Sequence, residues 1–328
     1  MNFNLLVENL TNPALLFFVL GVVAVYLKSD LEIPDNSSKF ISLYLLFAIG
    51  FKGGQELSHE VLSLEVGWSM LFGLFISIAI PFYTFLILKK KFNVFDAGAI
   101  AATYGSVSAV TFVTAVSYLE VQQLNLHGYM VAIMAFMESP AIIMGLLLIS
   151  IFNKDDNEII TKRTAIKHSF TNGSVLLIIG SLIIGYLASA KQAEGIKPFT
   201  NDLFKGFLAI FLLDMGVTSG KKLKTFLSLG WFPVIFAIVI PIVNGCIVAL
   251  LSSFITHDIS NRFIFAILAA SASYIAVPAA MKISVPQSNP GLFLPMALAI
   301  TFPINITIGM PTYFLIVHDC FLCNLIWF

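Results

Sequence analysis

Long apolar runs alternate with short polar stretches along almost the whole chain. The runs lie near 13–27, 39–51, 66–88, 96–118, 129–152, 174–190, 203–216, 230–255, 262–283 and 291–317. A bilayer core is crossed by about 20 apolar helical residues. The pattern therefore predicts an all-α integral membrane protein with about ten transmembrane helices. The runs 39–51 and 203–216 are expected to be short spans, either little tilted in a thinned bilayer or packed inside the protein. Composition agrees with the class. The chain is 58% hydrophobic and only 11% charged, whereas soluble domains carry about 25% charge.

Two distant stretches resemble each other. Gly50, Gly54 and Leu57 fall on Gly216, Gly220 and Leu223, and Ala101-Ala102-Thr103 returns as Ala269-Ala270-Ser271. Pro140 with Gly145 returns as Pro303 with Gly309. The polar linker 153–173 divides the chain into a first repeat, 1–152, and a second, 174–328, each with five helices. An odd number of spans forces the second copy to enter the membrane from the opposite side, giving a 5+5 inverted repeat. The repeated glycines suit close helix packing or a flexible joint between moving parts.

Positive charge sets the expected orientation. One face receives Lys28, Lys39, Lys89, Lys90, Lys91, Lys154, Lys162, Arg163, Lys167, Lys221, Lys222, Lys224 and Lys282. The other receives Lys52, Lys191, Lys197, Lys205 and Arg262. The richer face is assigned to the cytoplasm, which places both termini on the extracytoplasmic side. The start shows no basic region and no small-residue cleavage site, so no removable signal peptide is expected. With a net charge of zero, there is no nucleic-acid footprint. Cys246, Cys320 and Cys323 are too few for a disulfide framework.

Candidate chemistry sits in two hydroxyl clusters. The fourth span carries Thr103, Gly105, Ser106, Ser108 and Thr111, and the ninth carries Ser271, Ser273 and Tyr274 ahead of Pro278. Pro278 lacks an N–H and disfavours helix at Val277, and Gly105 loosens the matching site. Both helices are therefore expected to break at mid-membrane, where freed backbone must be buried or line a cavity. Facing half-helix N-termini attract an anion, and hydroxyls donate to an anion or accept from a cation. Tight packing, with each hydroxyl bonded to its own helix, is the structural alternative. Glu138, before Pro140 in the fifth span, is either an oxygen ligand for sodium, a proton-titrating group or a structural partner. Asn305 occupies the matching region of the second half. Asp96 is expected to cap its helix, and Asn244 to bond between helices. Asp214 is ambiguous. No nucleophile, metal cluster or phosphate loop is visible, so no enzyme and no cofactor are expected.

These motifs resemble the sodium-dependent bicarbonate transporter family. The resemblance is carried by Gly105–Thr111, Met137-Glu138-Ser139-Pro140-Ala141, Ser271–Pro278 and the loop Ile283–Pro290. It implies a mobile core of spans three to five and eight to ten, and a static gate of spans one, two, six and seven. It also implies a homotrimer, elevator-like motion, and bicarbonate and sodium bound between the two broken helices. Candidate substrate ligands are then Gly105, Ser106, Ser108, Thr111, Ser271, Ser273 and Tyr274. Candidate sodium ligands are Ser108, Thr111, Glu138, Ser273 and Asn305. The chain departs from the family motif at Tyr274, where the family has aspartate, and at Ala276 and Val277, where it has serine and glycine. The family's regulatory loop binds a PII-like protein, and the linker here is short. The tail 318–328 has no counterpart.

The expected function is sodium-coupled uptake of bicarbonate across the lipid bilayer. A sodium- or proton-coupled permease for another small carboxylate is the nearest alternative, and a passive anion channel the alternative of a different class.

Overall fold

The computed structural model describes residues 13–59, 63–153, 173–227, 230–274 and 276–319. The linker between Asn153 and Gly173, and the tail after Asp319 with Cys320 and Cys323, lie outside the described residues. Regular structure among the described residues is helical throughout. Six helices are long and apolar enough to cross a membrane: Leu64–Leu88, Val94–Val121, Gly128–Phe152, Pro198–Lys221, Trp231–Phe254 and Pro290–His318. Leu16–Tyr26 and Ile259–Ala270 are apolar but shorter. The chain is a multi-pass membrane protein.

In chain order the helices are α1 (Pro13–Tyr26), α2 (Asp35–His59), α3 (Leu64–Leu88), α4 (Val94–Gly105), α5 (Ala109–Val121) and α6 (Gly128–Phe152). They continue as α7 (Gly173–Leu187), the short α8 (Ala190–Glu194), α9 (Phe204–Leu227), α10 (Trp231–Leu251), α11 (Ile259–Ala270) and α12 (Ala276–Ser284). The last is α13, Pro290–His318. Its turns widen over Met296–Thr301 and Asn305–Gly309. Each widened stretch follows a proline, Pro295 or Pro303, which removes a backbone donor and loosens the ladder.

Side chains fix where helices begin. Ser63 caps α3, Asn93 caps α4, Ser108 caps α5 and Asp258 caps α11. Asn289 accepts from Gly291 N–H at 2.9 Å at the start of α13. Each supplies an oxygen to an N–H that has no partner within the helix. Asp96 is not the cap expected from sequence. Asn93, three residues earlier, takes that place by accepting from the Asp96 N–H at 2.8 Å. The Asp96 carboxylate instead accepts from the Asn289 N–H at 2.7 Å, tying the start of α4 to the loop before α13.

The two short apolar runs sit inside longer helices. α2 runs for 25 residues and α9 for 24. At about 1.5 Å per residue each is roughly 36–38 Å long, more than a bilayer core. The apolar runs stopped at Lys52 and at Thr218, but the helices do not. Polar residues such as Lys52, Gln55, Ser219 and Lys221 continue the turns.

The helices form two groups. α1 packs along α9, α2 packs along α7, and α2 also touches α9. These contacts pass through glycines. A Cβ on Gly54 would strike the backbone of Leu182, and one on Gly185 would strike Phe51. In the same way Gly216 lies on Phe18, and Gly21 on Leu213. In lipid, such close backbone approach replaces the missing hydrophobic drive. The glycines thus pack helices together. Gln55 adds amide donation to the carbonyls of Gly185 and Ala188 across α2 and α7.

The second group holds α3 to α6 and α10 to α13. α3, α4 and α6 pack together, as do α10, α11 and α13. The Tyr83 hydroxyl donates to Asn244, joining α3 to α10. Within the apolar window of Val94–Val121, 89% is buried, against 44% for α3 and 39% for α10. So α3 and α10 face outward, and the α4–α5 pair is enclosed. Across the two sequence halves α4 lies against α12, and α5 against α11.

Candidate functional site

Two helix interruptions meet inside the second group. α4 stops at Gly105, Ser106 and Ser108 are extended, and α5 begins at Ala109. α11 stops at Ala270, Ser271 is extended, and α12 begins at Ala276. Gly105 has a packing reason to be glycine, because a Cβ there would run into the Pro81 ring of α3. Pro278 does not break its helix at Val277, as its chemistry suggested. The break precedes it, and Pro278 sits in the first turn of α12, where its missing N–H costs nothing.

The interruptions are joined by hydrogen bonds. Ser273 N–H donates to Thr103 O at 2.8 Å. Ser108 N–H donates to Ser271 Oγ at 3.1 Å, and that hydroxyl donates to Leu268 O at 2.9 Å. Each break also supplies a capping hydroxyl to the helix after it. Ser108 Oγ accepts from Thr111 N–H at 3.1 Å, and Ser273 Oγ accepts from Val277 N–H at 3.4 Å. Freed backbone in the membrane interior is thereby paired rather than left facing lipid.

A cavity lies against both breaks. Leu46 of α2, Val107, Ser108, Ala109, Glu138 of α6, Ser273 and Tyr274 line it. The first turn of α5 starts in its wall, and its amides carry partial positive charge. The Glu138 side chain is 7% exposed. Among the described residues, no hydrogen-bond donor or cation is paired with its carboxylate. The Tyr274 hydroxyl is buried and faces Ser108 without a hydrogen bond of good geometry. Among the described residues, the anion-attracting start of α5, three hydroxyls and one carboxylate therefore share a single cavity. Among the described residues, no cluster of three or more His, Cys, Asp or Glu could hold a metal ion.

Of the residues singled out from sequence, the cavity gathers Ser108, Ser273, Tyr274 and Glu138. Gly105 lies behind it on Pro81. Ser106 is fully buried, and its hydroxyl has no partner among the described residues. Thr111 offers its N–H to Ser108, and Ser271 spends its hydroxyl on the joint between the breaks. Asn305 serves the frame: its amide donates to Ala270 O at 2.7 Å and accepts from the Tyr313 hydroxyl at 3.2 Å. Asp214 is buried on α9 and accepts from the Ser38 hydroxyl.

Sequence reasoning missed three apolar lining residues, Leu46, Val107 and Ala109. Val107 and Ala109 sit between flagged hydroxyls and were readable as neighbours of the break. Leu46 lies in the featureless run Leu45-Leu46-Phe47-Ala48-Ile49 and carries no local signal.

Residues 13–318 match the family model of the Na+-dependent bicarbonate transporter superfamily. The chain belongs to that superfamily. No curated protein sequence matched it. The match to the superfamily takes in both helix groups and all of the cavity residues. In this superfamily member the wall position at 274 holds an aromatic hydroxyl, and Glu138 is the one carboxylate in the cavity among the described residues.

Proposed function

We propose that this protein is a secondary active transporter that takes up bicarbonate with sodium by elevator-like alternating access. The observation that carries the reading is the cavity itself. There the capped start of α5 and the break before α12 face one buried carboxylate. Bicarbonate, a small anion, suits the partial positive charge of the helix ends and the donors of Ser108, Ser273 and Tyr274. Sodium is a hard cation that takes oxygen ligands. Glu138, Ser108 and Ser273 offer such oxygens in the cavity, with Thr111 and Asn305 behind. A sodium ion beside Glu138 offsets its charge, so the anion need not approach an uncompensated carboxylate. The site needs no cofactor.

The larger arrangement supports the same reading. A second helix from each half packs on the first helix of the other half, α2 on α7 and α9 on α1. This reciprocal pattern supports a 5+5 inverted repeat of about ten spans. α1, α2, α7 and α9 would be the static gate, and the group with the two broken helices the moving core. Both termini would lie on the extracytoplasmic side of a bacterial inner membrane. A homotrimer follows from family resemblance alone, and a PII-like regulator would have only a short linker to grip.

Uptake of labelled bicarbonate into proteoliposomes, with and without an inward sodium gradient, tests the reading. Sodium-stimulated uptake is expected. Uptake that ignores the gradient would remove sodium coupling, and a unitary pore conductance in planar bilayers would replace the carrier with a channel.

A further inference from the structure

The cavity lining mixes polar and apolar side chains. Its polar members are Ser108, Glu138, Ser273 and Tyr274, and its apolar members are Leu46, Val107 and Ala109. Most of the lining surface that faces the cavity is carbon. Leu46 stands apart from the rest. It is the one lining residue contributed by α2, from the helix group opposite the two breaks. It is 5% exposed and packed in the core, so it forms a fixed wall rather than a mobile surface side chain.

Bicarbonate is polar on every edge. Each of its three oxygens calls for a hydrogen-bond or ionic partner, and an oxygen pressed against buried carbon loses its water without replacement. Acetate has the same number of heavy atoms and the same charge, but a methyl group in place of the third oxygen. Its carboxylate can face the start of α5 and the three hydroxyls while its methyl meets Leu46, which comes from the other helix group. A methyl against the carbon of Leu46 forfeits no hydrogen bond, whereas an oxygen there does.

We propose that this site also accepts a short-chain monocarboxylate of the acetate class, and that Leu46 sets the preference by forming the wall met by the substrate's non-carboxylate end. The inference rests on the transport reading of the same cavity and narrows its substrate class. The methyl of acetate gives it about a fourfold advantage over formate, which has no carbon to bury. Leu46→Asn places a donor and an acceptor where the methyl would sit. It shifts the preference from acetate toward bicarbonate by about tenfold. Leu46→Ala opens room beyond the methyl and admits propionate.

The test uses the full chain in proteoliposomes at alkaline pH, where little acetic acid is present to leak across the lipid. Sodium-driven uptake of labelled bicarbonate is measured against increasing formate, acetate and propionate, for the unaltered protein, Leu46→Asn, Leu46→Ala and the conservative Leu46→Val. Calorimetric titration of the detergent-purified protein with sodium acetate gives a readout independent of transport. Acetate should compete more strongly than formate in the unaltered protein. Competition by acetate should fall in Leu46→Asn, and competition by propionate should rise in Leu46→Ala. Leu46→Val, which keeps an apolar wall, should retain the unaltered order and shows that the effect is not one of misfolding. If bicarbonate is taken up with sodium but acetate neither competes nor binds, the substrate-class inference fails and the transport reading stands. If no anion is taken up with sodium, the transport reading fails as well.

Discussion

At the scale of single residues, the cavity separates groups that hold the backbone from groups left free to meet a substrate. Ser271 and Asn305 are occupied: one bonds across the two breaks, the other spans Ala270 and Tyr313. Ser108 and Ser273 do both jobs, capping a helix while lining the cavity. Glu138 lines the cavity and has no paired partner among the described residues. These roles predict different mutant behaviour. Glu138→Gln keeps the volume and removes the charge, so sodium-stimulated uptake should fall at least tenfold while the melting temperature in detergent holds or rises. Asn305→Ala removes two buried hydrogen bonds from the frame. It should lower stability by about 2–4 kcal/mol, measured by thermal or chemical unfolding, before any effect on substrate affinity is read. Ser108→Ala and Ser273→Ala should each cost about 1 kcal/mol in capping and also weaken bicarbonate uptake. Unchanged transport in Glu138→Gln and both serine variants would place the site elsewhere.

At the scale of helices, the two breaks are legible in the chain because hydroxyls cluster there, but Pro278 is not the cause of the second. Pro278 stands in the first turn after the break, so the interruption belongs to the stretch from Ser271 onward. The extent of α2 and α9 was hidden for a different reason. Hydropathy ends at the first polar residues, but the helical ladder continues through Lys52 to His59 and through Ser219 to Leu227. The repeated glycines were visible, and their partners were not, since Gly54 meets Gly185 and Gly216 meets Gly21 only once the chain has folded. Leu46 was invisible for the same reason, being placed in the cavity by tertiary packing alone. These crossings carry their own prediction. Gly54→Leu or Gly216→Leu forces a side chain into the backbone of the neighbouring helix and should destabilise the protein by about 1–3 kcal/mol or more. Gly67→Ala, where a Cβ meets nothing within 4 Å, should leave the melting curve unchanged. Equal effects at Gly54 and Gly67 would contradict the packing role.

At the scale of the whole molecule, the proposed motion requires the two helix groups to part and re-form contacts, and one contact between them is ionic. Glu120, at the end of α5, receives Lys52 of α2 at 2.7 Å and Lys205 of α9 at 3.2 Å. One carboxylate from the group with the broken helices is thus held by two cations from the other group. All three side chains are partly exposed, with Lys205 the most open, so each pair contributes only about 0–1 kcal/mol. That is a bias a transport cycle can break, and removing it should shift the balance of states by a few-fold rather than abolish transport. Glu120→Gln should therefore change the uptake rate modestly, and the effect should shrink in high salt as the ion pairs are screened. A covalent bridge is the stronger test. With Cys246, Cys320 and Cys323 replaced by serine, Lys52→Cys and Glu120→Cys can be spanned by a bifunctional thiol reagent with a reducible linker. If the groups slide past one another, the bridge should stop sodium-driven uptake, and reduction should restore it. Full uptake with the bridge in place would mean that these helices keep their relative positions during transport, and the elevator-like motion would have to be abandoned for a local gate at the cavity.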